Sequence, residues 1–127
     1  MQFQIYPSKV LFSFSNERPC VSVREITIDE LKTAISNGAQ VIDVRESDEY
    51  NAGHVPMAQH IPLGSVPDHL EAFRSDAEVY VVCHSGGRSM RACEFLHDQG
   101  ITNVVNVIGG TSGWTALGNP VTIGMQP

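Results

Sequence analysis

The sequence predicts an α/β sandwich, a mostly parallel central sheet with helices flanking it. Two observations carry this reading. Short β-branched runs, QVIDVRE, AEVYVVC and NVVNVIGG, alternate along the chain with segments that carry helix caps and helical apolar spacing. That alternation is the pattern of parallel strands joined by right-handed crossovers. The run AEVYVVC is also apolar at successive positions, as in a strand covered on both faces.

Taken in order, residues 1–22 form an N-terminal extension. Phe3 and Ile5, then Val10, Phe12 and Phe14, alternate around a YPSK turn signal, so the segment reads as a β-hairpin that covers a sheet edge or dimerises. A globular domain is expected over 23–118. Thr27 stands three residues before Glu30, the spacing of a reciprocal capping box, and Gly38 closes the segment, which predicts a helix. QVIDVRE then reads as a strand, SDEYNAG as a capped helical turn ending at Gly53, and AQHIPL as a short extended piece. In SVPDHLEAF, Ser65 is placed to cap and Pro67 to sit in the first turn, which predicts another helix. AEVYVVC is the next strand. SMRACEFLHDQG carries Met90, Cys93, Phe95 and Leu96 at helical spacing and ends at Gly100, and NVVNVIGG is the strand after it. Residues 119–127 lack periodicity and read as an irregular surface tail.

Composition limits the function. A chain of 127 residues with 42% hydrophobic and 17% charged residues is expected to bury one core as a single domain. Fourteen acidic against eight basic residues give a net charge of −6, which disfavours nucleic acid and anionic membrane as partners, because phosphate binding needs clustered Lys and Arg. Cys20, Cys83 and Cys93 are odd in number and show no C-x-x-C or zinc-finger spacing, so neither a disulfide framework nor a metal site is expected. VLFSF is short for a signal-peptide core and no run approaches membrane-spanning length, so a cytoplasmic protein is expected.

The stretch VVCHSGGRS carries the chemistry. In open parallel sheets ligands bind beyond the carboxyl ends of strands, and Cys83 stands at such an end, directly before a helix. Gly86 and Gly87 let the backbone curl so that successive N–H groups of His84, Ser85, Gly86, Gly87, Arg88 and Ser89 point at one centre, an anion cradle. The helix beyond adds the positive end of its dipole, and Arg88, Arg91 and His84 add cationic side chains to an otherwise acidic chain. A cysteine so placed titrates low, and its thiolate is a nucleophile. A strand-end cysteine can equally be a small buried hydrophobe, but a core cysteine needs no glycine-rich cationic turn after it. Cys83 is therefore the candidate nucleophile and residues 84–89 the candidate substrate-binding loop. Cys93 lies ten residues further on, within the helix, too far for a disulfide with Cys83, and reads as core.

Residues 24 to about 117 resemble the rhodanese family of sulfurtransferases. VIDVRESDEYNAGHVPMAQHIPLG is similar to its first signature, with Asp43 and Arg45 after a strand and Glu49, Tyr50, Gly53 and His54 in the following turn. VVCHSGGRS resembles the active-site loop, and VIGGTSGW the closing signature with Gly109, Gly110, Gly113 and Trp114. The resemblance implies a three-layer sandwich with a sheet of about five strands. It further implies ping-pong chemistry: Cys83 takes the outer sulfur of an anionic donor such as thiosulfate, and a thiol or cyanide accepts it. No cofactor is implied, since backbone amides can stabilise both donor and persulfide. The partners are then a small anionic donor and a thiophilic acceptor, or a protein in a sulfur relay, with a monomer and a homodimer both open.

Phosphatases and arsenate reductases of similar fold are a minor alternative. They place five residues between Cys and Arg, whereas four separate Cys83 from Arg88, and seven separate it from Arg91. The chain also departs from its family at particular points. Several thiosulfate-preferring members carry Arg or Lys just after the cysteine, where this chain has His84 and Ser85, while Met57 replaces a frequent glycine and His60 a frequent asparagine. Asp43 and Arg45 read as a structural ion pair bracing neighbouring turns. Trp114 fits either the pocket mouth or packing. His54, His60, His69 and His97 show no common face and are assigned to no ligand set.

Overall fold

The computed structural model describes residues 22–127; the expected hairpin and Cys20 lie outside them. Five strands, β1 (Arg24–Ile26), β2 (Gln40–Asp43), β3 (Gln59–His60), β4 (Val79–Val82) and β5 (Val104–Val107), form one sheet in the order β1-β5-β4-β2-β3. Every pairing is parallel. The helices are α1 (Ile28–Ser36), α2 (Ser47–Ala52), α3 (Gly87–Asp98) and α4 (Gly110–Ala116).

The period of two along the central strands divides the interior into two cores, one on each face of the sheet. Ile42, Val79, Val81, Cys83 and Val104 pack with Ala92, Cys93 and Leu96 of α3 and with Phe73. Val41, Val82, Val105 and Val107 pack instead with Ile28 and Leu31 of α1, Tyr50 of α2 and Trp114 of α4. This is the three-layer α/β/α arrangement. Helix α1 begins as its sequence requires, with the Thr27 hydroxyl accepting from the Glu30 amide and the Glu30 carboxylate accepting from the Thr27 amide.

Three features differ from the sequence expectation. Residues 65–73 do not form an α-helix; the chain makes two 3-10 segments, Leu63–Asp68 and Leu70–Phe73. Pro67 sits inside the first, where it has no N–H to donate, and His69 at φ −131°, ψ 36° breaks the run. Ser65 does not cap it; Pro62 precedes the segment and no side chain bonds its amides. Strand β1 and helix α4 carry weak local signals, three residues in one case and a glycine-rich heptapeptide in the other. Both form because the sheet edge and the loop after β4 offer them partners.

The tail after α4 is irregular but held to the domain. His54 and Thr122 exchange an antiparallel bridge, and the Gly124 amide donates to the Asn51 carbonyl. Met57, at the position of the frequent glycine, adopts φ 72° with its side chain 73% exposed. A left-handed backbone strains any residue with a Cβ, so Met57→Gly is expected to raise stability by up to about 1 kcal/mol, read as a higher urea midpoint.

Candidate active site

The site is built where β4 ends. Cys83 follows Val82 and is 1% exposed, with its side chain in the core on the α3 face. Gly86 turns the chain at φ 117°, ψ −12° and serves as the N-cap of α3, a backbone conformation that glycine supplies without steric cost. The turn brings the Gly86 amide to 3.1 Å from Cys83 Sγ and the Ser89 hydroxyl to 3.4 Å. Burial is the largest single influence on the thiol and opposes ionisation, yet the Ser89 hydroxyl and the amides of Ser89, Gly86 and Ser85 together outweigh it. The Cys83 thiol is therefore held below its ordinary range.

The loop is braced from the opposite side by α4. The amides of Thr111 and Ser112 donate to the carbonyls of Cys83 and His84 at 2.8 and 2.9 Å. This close approach requires Gly110, at φ 56°, because a Cβ there would lie 2.5 Å from the Cys83 carbonyl oxygen and 2.7 Å from that of His84. Gly110→Ala is expected to push the loop away from α4 and to cost about 1–3 kcal/mol of stability, measured by thermal unfolding.

The structure divides the predicted loop residues into different jobs. Ser85, Gly86 and Ser89 serve the sulfur. His84 is exposed and helps to line a cavity of about 370 Å³, together with Arg45, Glu49, Thr111, Ser112 and Val121. Gly87 is exposed and opens α3. Arg88 turns to Glu49, donating from both Nη atoms to its two carboxylate oxygens at 2.8 and 2.9 Å. That pairing brings the Glu49 carboxyl down to about 2. Arg91 is exposed on α3.

Asp43 and Arg45 form the expected brace. Asp43 is fully buried, Arg45 is 5% exposed, and two carboxylate oxygens meet Nε and Nη2 at 2.9–3.1 Å. Arg45 Nη2 also donates to the Gly53 carbonyl, fixing the turn after α2. Trp114 is packed, 4% exposed, with its indole N–H donating to the Pro120 carbonyl. Cys93 lies in the core, where burial pushes its thiol up to about 12. Among the described residues no group of three or more His, Cys, Asp or Glu side chains is arranged to hold a metal ion, and no helix is long and apolar enough to cross a membrane.

Two residues of the site went unassigned in the sequence. Asn106 is a buried polar residue on β5, facing Ser89, and Thr111 presents a buried hydroxyl without a partner beside the cavity. The first had a faint signal, a lone amide within the valine run VVNV; the second had none.

A parallel α/β sandwich whose central strand delivers a cysteine into an amide-lined turn defines a class of proteins built around a strand-end thiol. The comparison with known sequences narrows the class. The Rhodanese-like domain family model matches residues 27–117, and the chain belongs to that family, the rhodanese-domain sulfurtransferases. It is 37% identical over 102 residues to the putative sulfurtransferase YtwF of Bacillus subtilis, covering 79% of this chain and 98% of that one. It is 33% identical to the thiosulfate sulfurtransferase GlpE of Pseudomonas paraeruginosa, covering 74% and 86%. It is 36% identical to the putative sulfur carrier protein YrkF of Bacillus subtilis, covering 74% of this chain and 52% of YrkF, so the match spans about half of that relative. Among solved structures, a rhodanese-related protein from Thermoplasma volcanium superposes with a TM-score of 0.72 at 33% identity, covering 79% and 98%.

Proposed function

We propose that the protein moves a sulfane sulfur from thiosulfate or another persulfide donor to a thiol or cyanide through a persulfide on Cys83. The carrying observation is the sulfur's surroundings: Sγ receives hydrogen bonds from the Gly86 amide and the Ser89 hydroxyl, so an anionic sulfur is stabilised without a metal or organic cofactor. The thiolate lone pair attacks the donor's outer sulfur, the donor's S–S bond breaks with its electron pair on the departing group, and the negative charge moves to the outer sulfur of the new persulfide. The acceptor then attacks that outer sulfur and Cys83 returns to thiolate. His84, Ser85, Gly86, Gly87, Arg88 and Ser89 form the substrate loop, and Arg45 and Glu49 bring charged side chains to the adjoining cavity.

The test is direct. Protein incubated with thiosulfate should gain the mass of one sulfur atom, located on Cys83 by peptide mapping, and lose it on addition of cyanide with formation of thiocyanate. No sulfur on Cys83 with any sulfane donor would overturn the proposal.

One observation favours a second reading, a sulfur relay with a protein donor. The bidentate Glu49 contact offsets the charge of Arg88, and His84 and Ser85 occupy the positions where thiosulfate-preferring members carry cations, so a small dianion meets little net positive charge. Saturation with thiosulfate at modest concentration supports the enzyme; rapid loading only from a persulfidated protein supports the relay. Glu49→Gln, which leaves the Arg88 charge uncompensated, is expected to lower KM for thiosulfate about two- to fivefold with little change in kcat, the weight of one partly exposed charge contact. The phosphatase reading gains no support: the four-residue interval is short for a tetrahedral oxyanion, and the arginine that closes it is held by Glu49.

A further inference from the structure

The Ser89 hydroxyl has one hydrogen and three acceptors around it. Its oxygen lies 3.4 Å from Cys83 Sγ, 3.2 Å from the Gly86 carbonyl and 2.5 Å from Asn106 Oδ1. The direction of the Asn106 amide is not free. Its Nδ2 donates to Glu25 Oε2 at 2.8 Å, and an ionised carboxylate can only accept, so the carbonyl end of Asn106 must face Ser89. Glu25 is placed for this by the fold, since it is the residue opposite Asn106 in the parallel pairing of β1 with β5. The period of two along β5 places Asn106 on the α3 face between Val105 and Val107, which point the other way.

We propose that Asn106, oriented by Glu25, is a positioning residue that competes with the Cys83 thiolate for the Ser89 hydrogen and so favours the persulfide over the thiolate. The proposal rests on the sulfur-transfer reading above. In the resting thiolate the hydrogen is contested by Sγ and Oδ1, so the anion is held less tightly than a serine committed to it would hold it. When Sγ bonds to the donor's outer sulfur, the charge leaves Sγ for that outer atom, and Sγ becomes a weak acceptor. Ser89 then gives its hydrogen to Asn106 Oδ1, and no buried polar group is left unpaired. When the acceptor removes the outer sulfur, the charge returns to Sγ and the competition resumes. Among the described residues, Arg88, already paired with Glu49, and the buried thiol of Cys93 both feel the charge of Cys83.

The experiment is a pH titration of Cys83 in the full chain, followed by the rate of iodoacetamide alkylation at that residue by peptide mass, without any sulfur donor. Asn106→Leu frees Ser89 for the thiolate and is expected to raise the thiolate fraction below the midpoint roughly three- to tenfold, the weight of one hydrogen bond. Glu25→Gln removes the lock on the amide from an exposed position and is expected to shift the midpoint in the same direction by less. Ser89→Ala is expected to shift it the opposite way, and in that background Asn106→Leu should have no further effect, a non-additivity that a merely structural role would not produce. A midpoint that is unchanged or raised in Glu25→Gln overturns the proposal, as does an Asn106→Leu shift that persists without the serine. These readouts need no sulfur transfer, so a protein that shows the expected shifts yet takes no sulfur from any donor would refute the function and leave the hydrogen-bond competition standing.

Discussion

Cys83→Ser should leave the protein folded and abolish sulfur loading, with thiocyanate formation falling by about 10³-fold or more. A serine hydroxyl at this site can accept the same Gly86 hydrogen bond that Sγ accepts, so the loop keeps its shape. It is not ionised at neutral pH and forms no stable counterpart of a persulfide. Cys93→Ser is the matched control: its thiol is buried in the core on the same face of the sheet and is pushed up to about 12, so it supplies no thiolate and its loss should spare activity. Retained thiocyanate formation in Cys83→Ser with Cys20 and Cys93 intact would place the chemistry on another residue.

Asp43→Ala should produce the largest loss of stability of any single change in the site. The Asp43 carboxylate is fully buried and takes hydrogen bonds from the Arg45 amide, Nε and Nη2. Removing it leaves the Arg45 guanidinium buried without its counter-charge, a change that costs about 3–5 kcal/mol. For a domain of this size that is a fall in Tm of roughly 10–20 °C, measured by calorimetry. The contrast is Glu71→Ala, which breaks an exposed pair with Arg74, the carboxylate side 86% exposed; its Tm should not move measurably, because water solvates both partners. Comparable Tm values for the two variants would show that burial does not govern the worth of the Asp43–Arg45 pair. Activity should fall with Asp43→Ala as well, because Arg45 fixes the Gly53 turn and lines the cavity beside His84.

The folded chain shows which kinds of information are local. The parallel sheet, the capping of α1 by Thr27 and Glu30, and the delivery of Cys83 into a glycine turn ahead of α3 are all written in short windows. Each depends on the period of apolar residues or on side chains within a few positions of one another. Where a window held conflicting signals, reading it failed: SVPDHLEAF has a serine, a proline and helical apolar spacing, yet the proline and His69 divide the segment into 3-10 turns. The pairing of Arg88 with Glu49, thirty-nine residues away, had no local sign, although both residues were conspicuous by themselves.

By itself the sequence determined the α/β class and the order of its main elements, and it singled out the cysteine around which the candidate site is built, because backbone propensity and apolar period act over a few residues. Only the tertiary structure decided what that cysteine meets. Glu25, Ser89 and Asn106 come from β1, α3 and β5, and they join into one hydrogen-bonded line because the β1–β5 register sets Glu25 beside Asn106 and the pleat turns Asn106 toward α3. Such contacts connect residues as far apart as eighty-one positions, and their direction is set by pairing between strands, which no short stretch of chain contains.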